Sequence, residues 1–129
     1  MSPVRTTTVE QDINAMQAWP NDWVVDDDDD GDMHIGRRIV EQLTDFVRHL
    51  HASGLAASTI RRHVDHLHLL GGKLIHDRHY YDPPEAVPDL IEIVEEEGGP
   101  LIDRGECTAA QRSFDATCRK LYKFLSAQG

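Results

Sequence analysis

Residues 35–79 read IGRRIVEQLTDFVRHLHASGLAASTIRRHVDHLHLLGGKLIHDRH, and this stretch decides the fold. Its apolar residues recur every three or four positions, which is the pattern of amphipathic helices. The segment HASGL at 51–55 interrupts the pattern, and Gly54 is placed to end a helix in the left-handed conformation. The stretch therefore predicts two amphipathic helices joined by a short turn.

The first of these helices is predicted from about 33 to 53 and the second from 57 to 76. Gly71 and Gly72 interrupt the second helix, at a cost of about 1 kcal/mol each relative to alanine. A close approach of a neighbouring helix would explain the pair. The predicted buried stripes are Ile35, Ile39, Leu43, Phe46, Val47 and Leu50 on the first helix, and Ile60, Val64, Leu67, Leu74 and Ile75 on the second.

Two further helices are predicted after a connector at 80–84. Pro88 is placed to begin a short helix that ends at 98–100, and Thr108 with Gln111 forms a capping-box pattern at the start of the last helix. No strand pattern is present, so we expect an all-α fold, a compact bundle of four main helices. The buried residues expected here are Leu90, Ile91 and Val94, then Phe114, Cys118, Leu121, Tyr122 and Leu125.

The first 31 residues are predicted to form an irregular acidic arm, and residues 32–129 the helical domain. Turn chemistry at 19–22 favours irregular structure, with one short amphipathic turn after Thr8. Trp19 and Trp23 are expected to pack on the helical core as lids.

Aspartates crowd positions 26–32 in the pattern that opens a calcium-binding loop. The twelfth position of that loop requires glutamate, and here it holds Arg37. We interpret the aspartates instead as favourable charges at a helix N-terminus, with Asp32 as the cap.

Charge is unevenly distributed along the chain, whose formal net charge is -10. Residues 1–35 contain nine acids and 83–98 contain six, whereas the rest has twelve lysines and arginines against eight acids. A mildly basic helical body thus lies between two acidic segments, which bears on partners rather than on the fold.

Several function classes find no support in the sequence. No apolar run approaches the roughly 18 residues of a membrane helix, and the N-terminus has no signal-peptide core, so we expect a cytoplasmic protein without membrane contact. Cys107 and Cys118 make no disulfide framework, and we expect both to be reduced, with Cys118 buried. The eight histidines have no zinc-ligand signature. We interpret them as solvated side chains and expect no cofactor, no small-molecule substrate and no enzymatic activity, because nucleophile and phosphate-loop motifs are also missing.

Basic side chains recur at helical spacing on the second and last predicted helices. Such stripes suit contacts with nucleic-acid phosphates, and His63 and His66 could reach base edges. The same spacing also fits ordinary solvated faces. The candidate nucleic-acid-binding residues are Arg61, Arg62, His63, His66, Lys73, Arg112, Arg119, Lys120 and Lys123.

A family resemblance rests on two stretches, LTDFVRHLHASGLAASTIRRHVDHLHLL at 43–70 and TAAQRSFDATCRKLYKFL at 108–125. The first has a helix, then Gly54-Leu55, then a helix start followed by basic residues; the second is an arginine-containing helix that ends in an aromatic residue and leucine. Over about residues 35–127 the chain resembles the N-terminal core-binding (SAM-like) domain of tyrosine recombinases, the phage integrase family. It also looks like a group of short bacterial proteins of unassigned function.

The resemblance implies a SAM-like bundle that clamps double-stranded DNA with its second and fourth helices, the two that bear the basic stripes. The chain departs from the family at Ala56, where a capping serine is usual, and in its acidic charge. The family's catalytic domain has no counterpart, and the His-x-x-Arg match at 34–37 is assigned no catalytic role.

Two main hypotheses follow from these patterns, and a metal-dependent module is a third. In the first, the chain is a non-catalytic module that associates with DNA or with a DNA-bound recombination complex. In the second, it is an acidic regulatory module whose segments 26–32 and 85–97 dock a basic protein partner.

Overall fold

The computed structural model describes residues 8–25, 30–79, 89–100 and 108–128. Within these ranges the chain is all-α, without strands. The helices are α1 (Val9–Met16), α2 (Trp19–Trp23), α3 (Asp30–Ala52), α4 (Ala57–Arg78), α5 (Leu90–Ile93) and α6 (Thr108–Gln128). The all-α prediction is confirmed at this level.

The two central helices match the sequence pattern closely. Gly54 ends α3 with a φ of 74°, as its position predicted, and α4 begins at Ala57. Every residue of the predicted α3 stripe is buried, and on α4 only Leu74 of the predicted stripe is partly exposed. Burial of these apolar side chains is the main contribution to stability.

The prediction of an irregular N-terminal arm is wrong for residues 9–23. The hydroxyl of Thr8 accepts a hydrogen bond from the Gln11 backbone at 3.1 Å, and the Gln11 side chain accepts one from the Thr8 backbone at 2.8 Å, a capping box that starts α1. Met16, Trp19 and Trp23 are buried in the same core as the α3 and α4 stripes. The prediction that both tryptophans pack on the core is confirmed.

Trp23 explains the glycine pair of α4. Its indole nitrogen donates to the backbone carbonyl of His68 at 3.0 Å. The ring then lies so close to α4 that a Cβ at Gly71 would come within 2.3 Å of it, while one at Gly72 would be 3.2 Å away. The predicted close approach is therefore real, and it is made by one aromatic side chain of α2.

Asp32 is a buried charge inside α3, so the prediction that it caps the helix is wrong. Its carboxylate is 0% exposed and lies 2.6 Å from Arg78 Nη1 and 2.7 Å from His79 Nε2. It also accepts a hydrogen bond from the backbone of Val25 at 2.9 Å. Because a buried carboxylate requires such partners, Asp32 ties the end of α4 to the start of α3.

The segment after Asp89 departs from the prediction of a longer third helix. α5 spans only four residues, Leu90–Ile93, and a tight turn pairs Glu95 with Gly98. Leu90 and Val94 are buried as predicted, but Ile91 is 38% exposed, which corrects its assignment to the core.

The turn is held against α6. The backbone of Gly99 donates to the Asp115 carboxylate at 3.1 Å, and the Gln111 side chain donates to the carbonyl of Pro100, also at 3.1 Å. The predicted capping box of α6 depends on the Thr108 side chain, which lies outside the described residues. So do the aspartates at 26–29, the connector at 80–84, Pro88 and Cys107.

None of the described helices combines the length and apolar character that a bilayer crossing requires.

Replacing Gly71 with alanine tests the contact with Trp23. We expect Gly71→Ala to lower the free energy of unfolding by about 1–3 kcal/mol, because overpacking outweighs the gain of about 1 kcal/mol in helix propensity. Gly72→Ala is the matched control, with the same propensity gain and a milder contact, and should lose less. Urea unfolding measures both; equal stability of the two variants would contradict the packing described.

Candidate nucleic-acid interface

The basic residues predicted on α4 fall into two groups. Arg62 is exposed and His66 is partly exposed on one face of the helix. Arg61 faces α1 instead, where its guanidinium lies 3.5 Å from the buried carboxylate of Asp12. Lys73 lies 3.0 Å from the carboxylate of Asp77. The structure therefore leaves Arg62 and His66 available and engages Arg61 and Lys73 in ion pairs.

The four basic residues predicted on α6 are all exposed: Arg112, Arg119, Lys120 and Lys123. Arg119 donates to the backbone carbonyl of Glu97 at 3.3 Å, which places it beside the acidic turn at 95–97. Arg112, Arg119 and Lys123 recur at helical spacing on the side of α6 opposite Leu121, and Lys120 lies on the flank between them and Thr117.

A buried hydroxyl joins α6 to α4. Thr117 Oγ1 lies 2.6 Å from Nδ1 of His63 and 2.8 Å from Nδ1 of His66. Thr117 and His63 are 1% and 2% exposed, so the first contact is shielded from water. The His66 ring also meets the Phe114 ring edge-on, with centroids 5.9 Å apart.

These contacts fix the relative direction of the two helices. His63 meets Thr117, whereas His66, one turn later in α4, also meets Phe114, one turn earlier in α6. The helices therefore run antiparallel. We call the exposed basic side chains of this helix pair the cationic seam. Arg62, His66 and Lys120 lie at the α4–α6 contact, and Arg112, Arg119 and Lys123 follow on the adjoining exposed side of α6.

The electrostatics of the two histidines show which charges converge on the seam. Burial, together with the positive charges of Lys120 and Arg62, lowers the pKa of His63 to about 4. Burial also lowers the pKa of His66, with Arg62 adding to the effect and Asp65 opposing it. Arg62 of α4 and Lys120 of α6 thus act on the same imidazole, one from each helix.

The prediction that His63 reaches base edges is corrected by its burial. Its ring points into the α4–α6 contact and bonds to Thr117, so it supports the seam from beneath. The interpretation of the histidines as solvated side chains is likewise wrong for His63, and also for His51, whose Nε2 lies 2.7 Å from buried Asp12.

Thr117 is the residue that sequence reasoning missed. It lies three positions after Phe114 and next to Cys118, inside the apolar stripe of α6, and His63 holds the corresponding place beside Val64. The helical period alone could have marked both as buried polar residues, and buried polar residues require partners.

Other polar groups form separate clusters. Cys118 is buried as predicted, and burial raises its pKa to about 12, with Asp115 acting in the same direction. In the parts of the chain that the structure describes, no three His, Cys, Asp or Glu side chains are grouped as metal ligands would be. A pocket of about 380 Å³ adjoins Asp12, Trp19, Arg61 and His68, and its charged groups are paired with one another or with Asp22.

No protein-family model, curated protein or solved structure matches this chain.

Acidification tests the buried position of His63. The folded protein holds the pKa of His63 at about 4, whereas the ordinary value is 6.5, so the unfolded chain binds the extra proton first as the pH falls. The stability that neutral His63 contributes is complete at a pH above its ordinary pKa of 6.5, and it is lost as the pH falls towards about 4. Between pH of about 7.5 and about 5.5 it should decrease by about 1 kcal/mol.

The variant His63→Asn keeps an amide near the position of Nδ1 but does not titrate. Urea unfolding should therefore show a smaller loss of stability on acidification than in the unaltered protein. His34→Asn, at an exposed histidine of α3, is the control and should lose as much as the unaltered protein. If His63→Asn also does so, the neutral buried imidazole is not present in solution.

Proposed function

We propose that this chain is a non-catalytic helical module that binds the phosphate backbone of duplex DNA, or a complex assembled on DNA, through the cationic seam. The proposed contacts come from Arg62 and His66 on α4 and from the four exposed cations of α6. A cytoplasmic location remains a prediction that accompanies this proposal.

The supporting observation is the pairing state of the cations. In the described residues, Arg62, Arg112, Lys120 and Lys123 have no carboxylate oxygen within ion-pair distance. By contrast, Arg48, Arg61, Lys73 and Arg78 each have an acidic partner. A cation without a carboxylate partner can bind a DNA phosphate without breaking an ion pair, so these four side chains are the basic residues best suited to the contact.

The resemblance to the recombinase core-binding domain supports the same surface. In that family the second and fourth helices clamp DNA, and the corresponding helices of this chain are α4 and α6. We propose that the arrangement is SAM-like, with α1 and α2 as additions that cover α3 and α4. One departure is visible at the start of α4, where Ala56 occupies the cap position without a side-chain hydrogen bond.

A second candidate function is docking of a basic protein partner. A shallow groove between α5 and α6 exposes Ile91 beside Tyr122 and Leu125, and its rim includes Asp89. Exposed apolar surface with an acidic rim suits an amphipathic segment that carries basic side chains. In this alternative, reversing charges of the seam leaves partner binding intact, whereas Ile91→Asp abolishes it.

Charge reversal tests the DNA proposal. We expect Arg62→Glu combined with Lys120→Glu to weaken binding of a short random-sequence duplex by about tenfold or more at low salt. The slope of log K against log salt should decrease by about 2, because two phosphate contacts are lost. Fluorescence anisotropy at several salt concentrations measures both quantities.

The control combines Arg37→Glu with Arg48→Glu, which changes the net charge equally on exposed positions of α3. It should reduce affinity far less than the seam variant. If both double variants weaken DNA binding equally, the affinity depends on net charge alone and the cationic seam is not the binding surface.

A further inference from the structure

The three groups at the base of the seam form a directed chain of hydrogen bonds. A threonine hydroxyl has a single proton, so it can donate to at most one of the two imidazole nitrogens, and its oxygen can accept from the other. Thr117 Oγ1 is within hydrogen-bond distance of Nδ1 of both His63 and His66. The protonation of one histidine therefore determines the direction of both hydrogen bonds.

The two ends of this chain differ in their access to solvent. His63 is 2% exposed, whereas His66 is partly exposed. These hydrogen bonds are compatible with an added proton on His66. Protonated His66 donates from Nδ1 to Thr117, and Thr117 donates to Nδ1 of neutral His63. The buried imidazole then stays uncharged and both hydrogen bonds are kept.

The charges around His66 make its protonation sensitive to an anion. Arg62 on its own helix disfavours the charged imidazole, and Asp65 favours it. From α6, His66 is faced by the Thr117 hydroxyl and the Phe114 ring, and Lys120 adds positive charge next to neighbouring His63. A phosphate held by Arg62 and Lys120 would offset the charge of Arg62 and place a negative charge near the ring, so the charged form of His66 would then be favoured.

We propose that phosphate binding at the cationic seam is coupled to the uptake of one proton by His66, so that DNA binding tightens as the medium becomes mildly acidic. The inference rests on the proposed DNA binding and specifies its regulation. His66 then acts as a third phosphate contact that is charged mainly in the complex. By linkage, the affinity for DNA increases as the pH falls wherever the complex holds more protons than the free protein.

The experiment measures the affinity for a fluorescein-labelled duplex at constant ionic strength, at pH of about 8 and about 6. The lower value stays above the sequence pI of about 5.1. His66→Asn is the test variant, because its amide can still bond to Thr117 but does not titrate. For each protein the affinity at pH of about 6 is divided by the affinity at pH of about 8. This ratio should be about threefold larger for the unaltered protein than for His66→Asn. His34→Asn, which removes an exposed histidine from α3, should retain the full increase.

The outcomes separate this inference from the function on which it rests. If the unaltered protein and His66→Asn tighten equally, proton coupling at His66 is refuted and DNA binding stands. If no duplex is bound at either pH, both proposals fail. If His66→Asn does not fold, the histidine NMR titration of the unaltered protein decides. The pKa of His66 should rise when duplex is added, and an unchanged pKa overturns the coupling.

Discussion

The shared hydroxyl of Thr117 is the interaction on which the functional surface depends. It is buried between α4 and α6 and bonds to two histidines of α4. A buried hydroxyl and two imidazoles that lack partners would cost several kcal/mol, so the two helices pack stably only in the register that joins these groups. That register brings Arg62 of α4 and Lys120 of α6 close enough for both charges to act on the imidazole of His63. The position of the seam is therefore a consequence of a polar contact beneath it.

The acidic composition of the chain does not contradict a cationic surface, because carboxylates are distributed selectively. Asp12 and Asp32 are buried; Asp12 pairs with the half-exposed Arg61, and Asp32 pairs with the largely buried Arg78. These pairs neutralise cations that sequence alone would count as available, and they hold α1 and α3 against α4. The basic residues of α4 and α6 that have no carboxylate partner are fewer than those of the two stripes predicted from the sequence. They define the candidate DNA-binding site more narrowly than either stripe does.

The sequence alone predicted the structure correctly where a residue pattern is compatible with only one conformation. The spacing of Ile39 and Leu43 requires an amphipathic helix, and Gly54 ends it because only glycine adopts a φ of 74° without strain. It was insufficient where long-range partners decide. Asp32 suits a helix cap by local rules, but Arg78 and His79, distant along the chain, draw it into the core. The helical period of α4 could mark His63 as buried, but it does not identify Thr117, 54 positions away, as its partner. The partners of buried polar residues come from other helices, and local patterns do not encode those contacts.

The most direct test of the account is an NMR titration of the isotopically labelled chain with a short duplex. Binding at the seam predicts that chemical-shift changes concentrate on α4 around Arg62 and His66 and on α6 around Arg112, Thr117 and Lys120. The α5–α6 groove around Ile91 should change little. Shifts centred on Ile91, or a spectrum that stays the same at low salt, would contradict the assignment of the cationic seam as a DNA-binding surface.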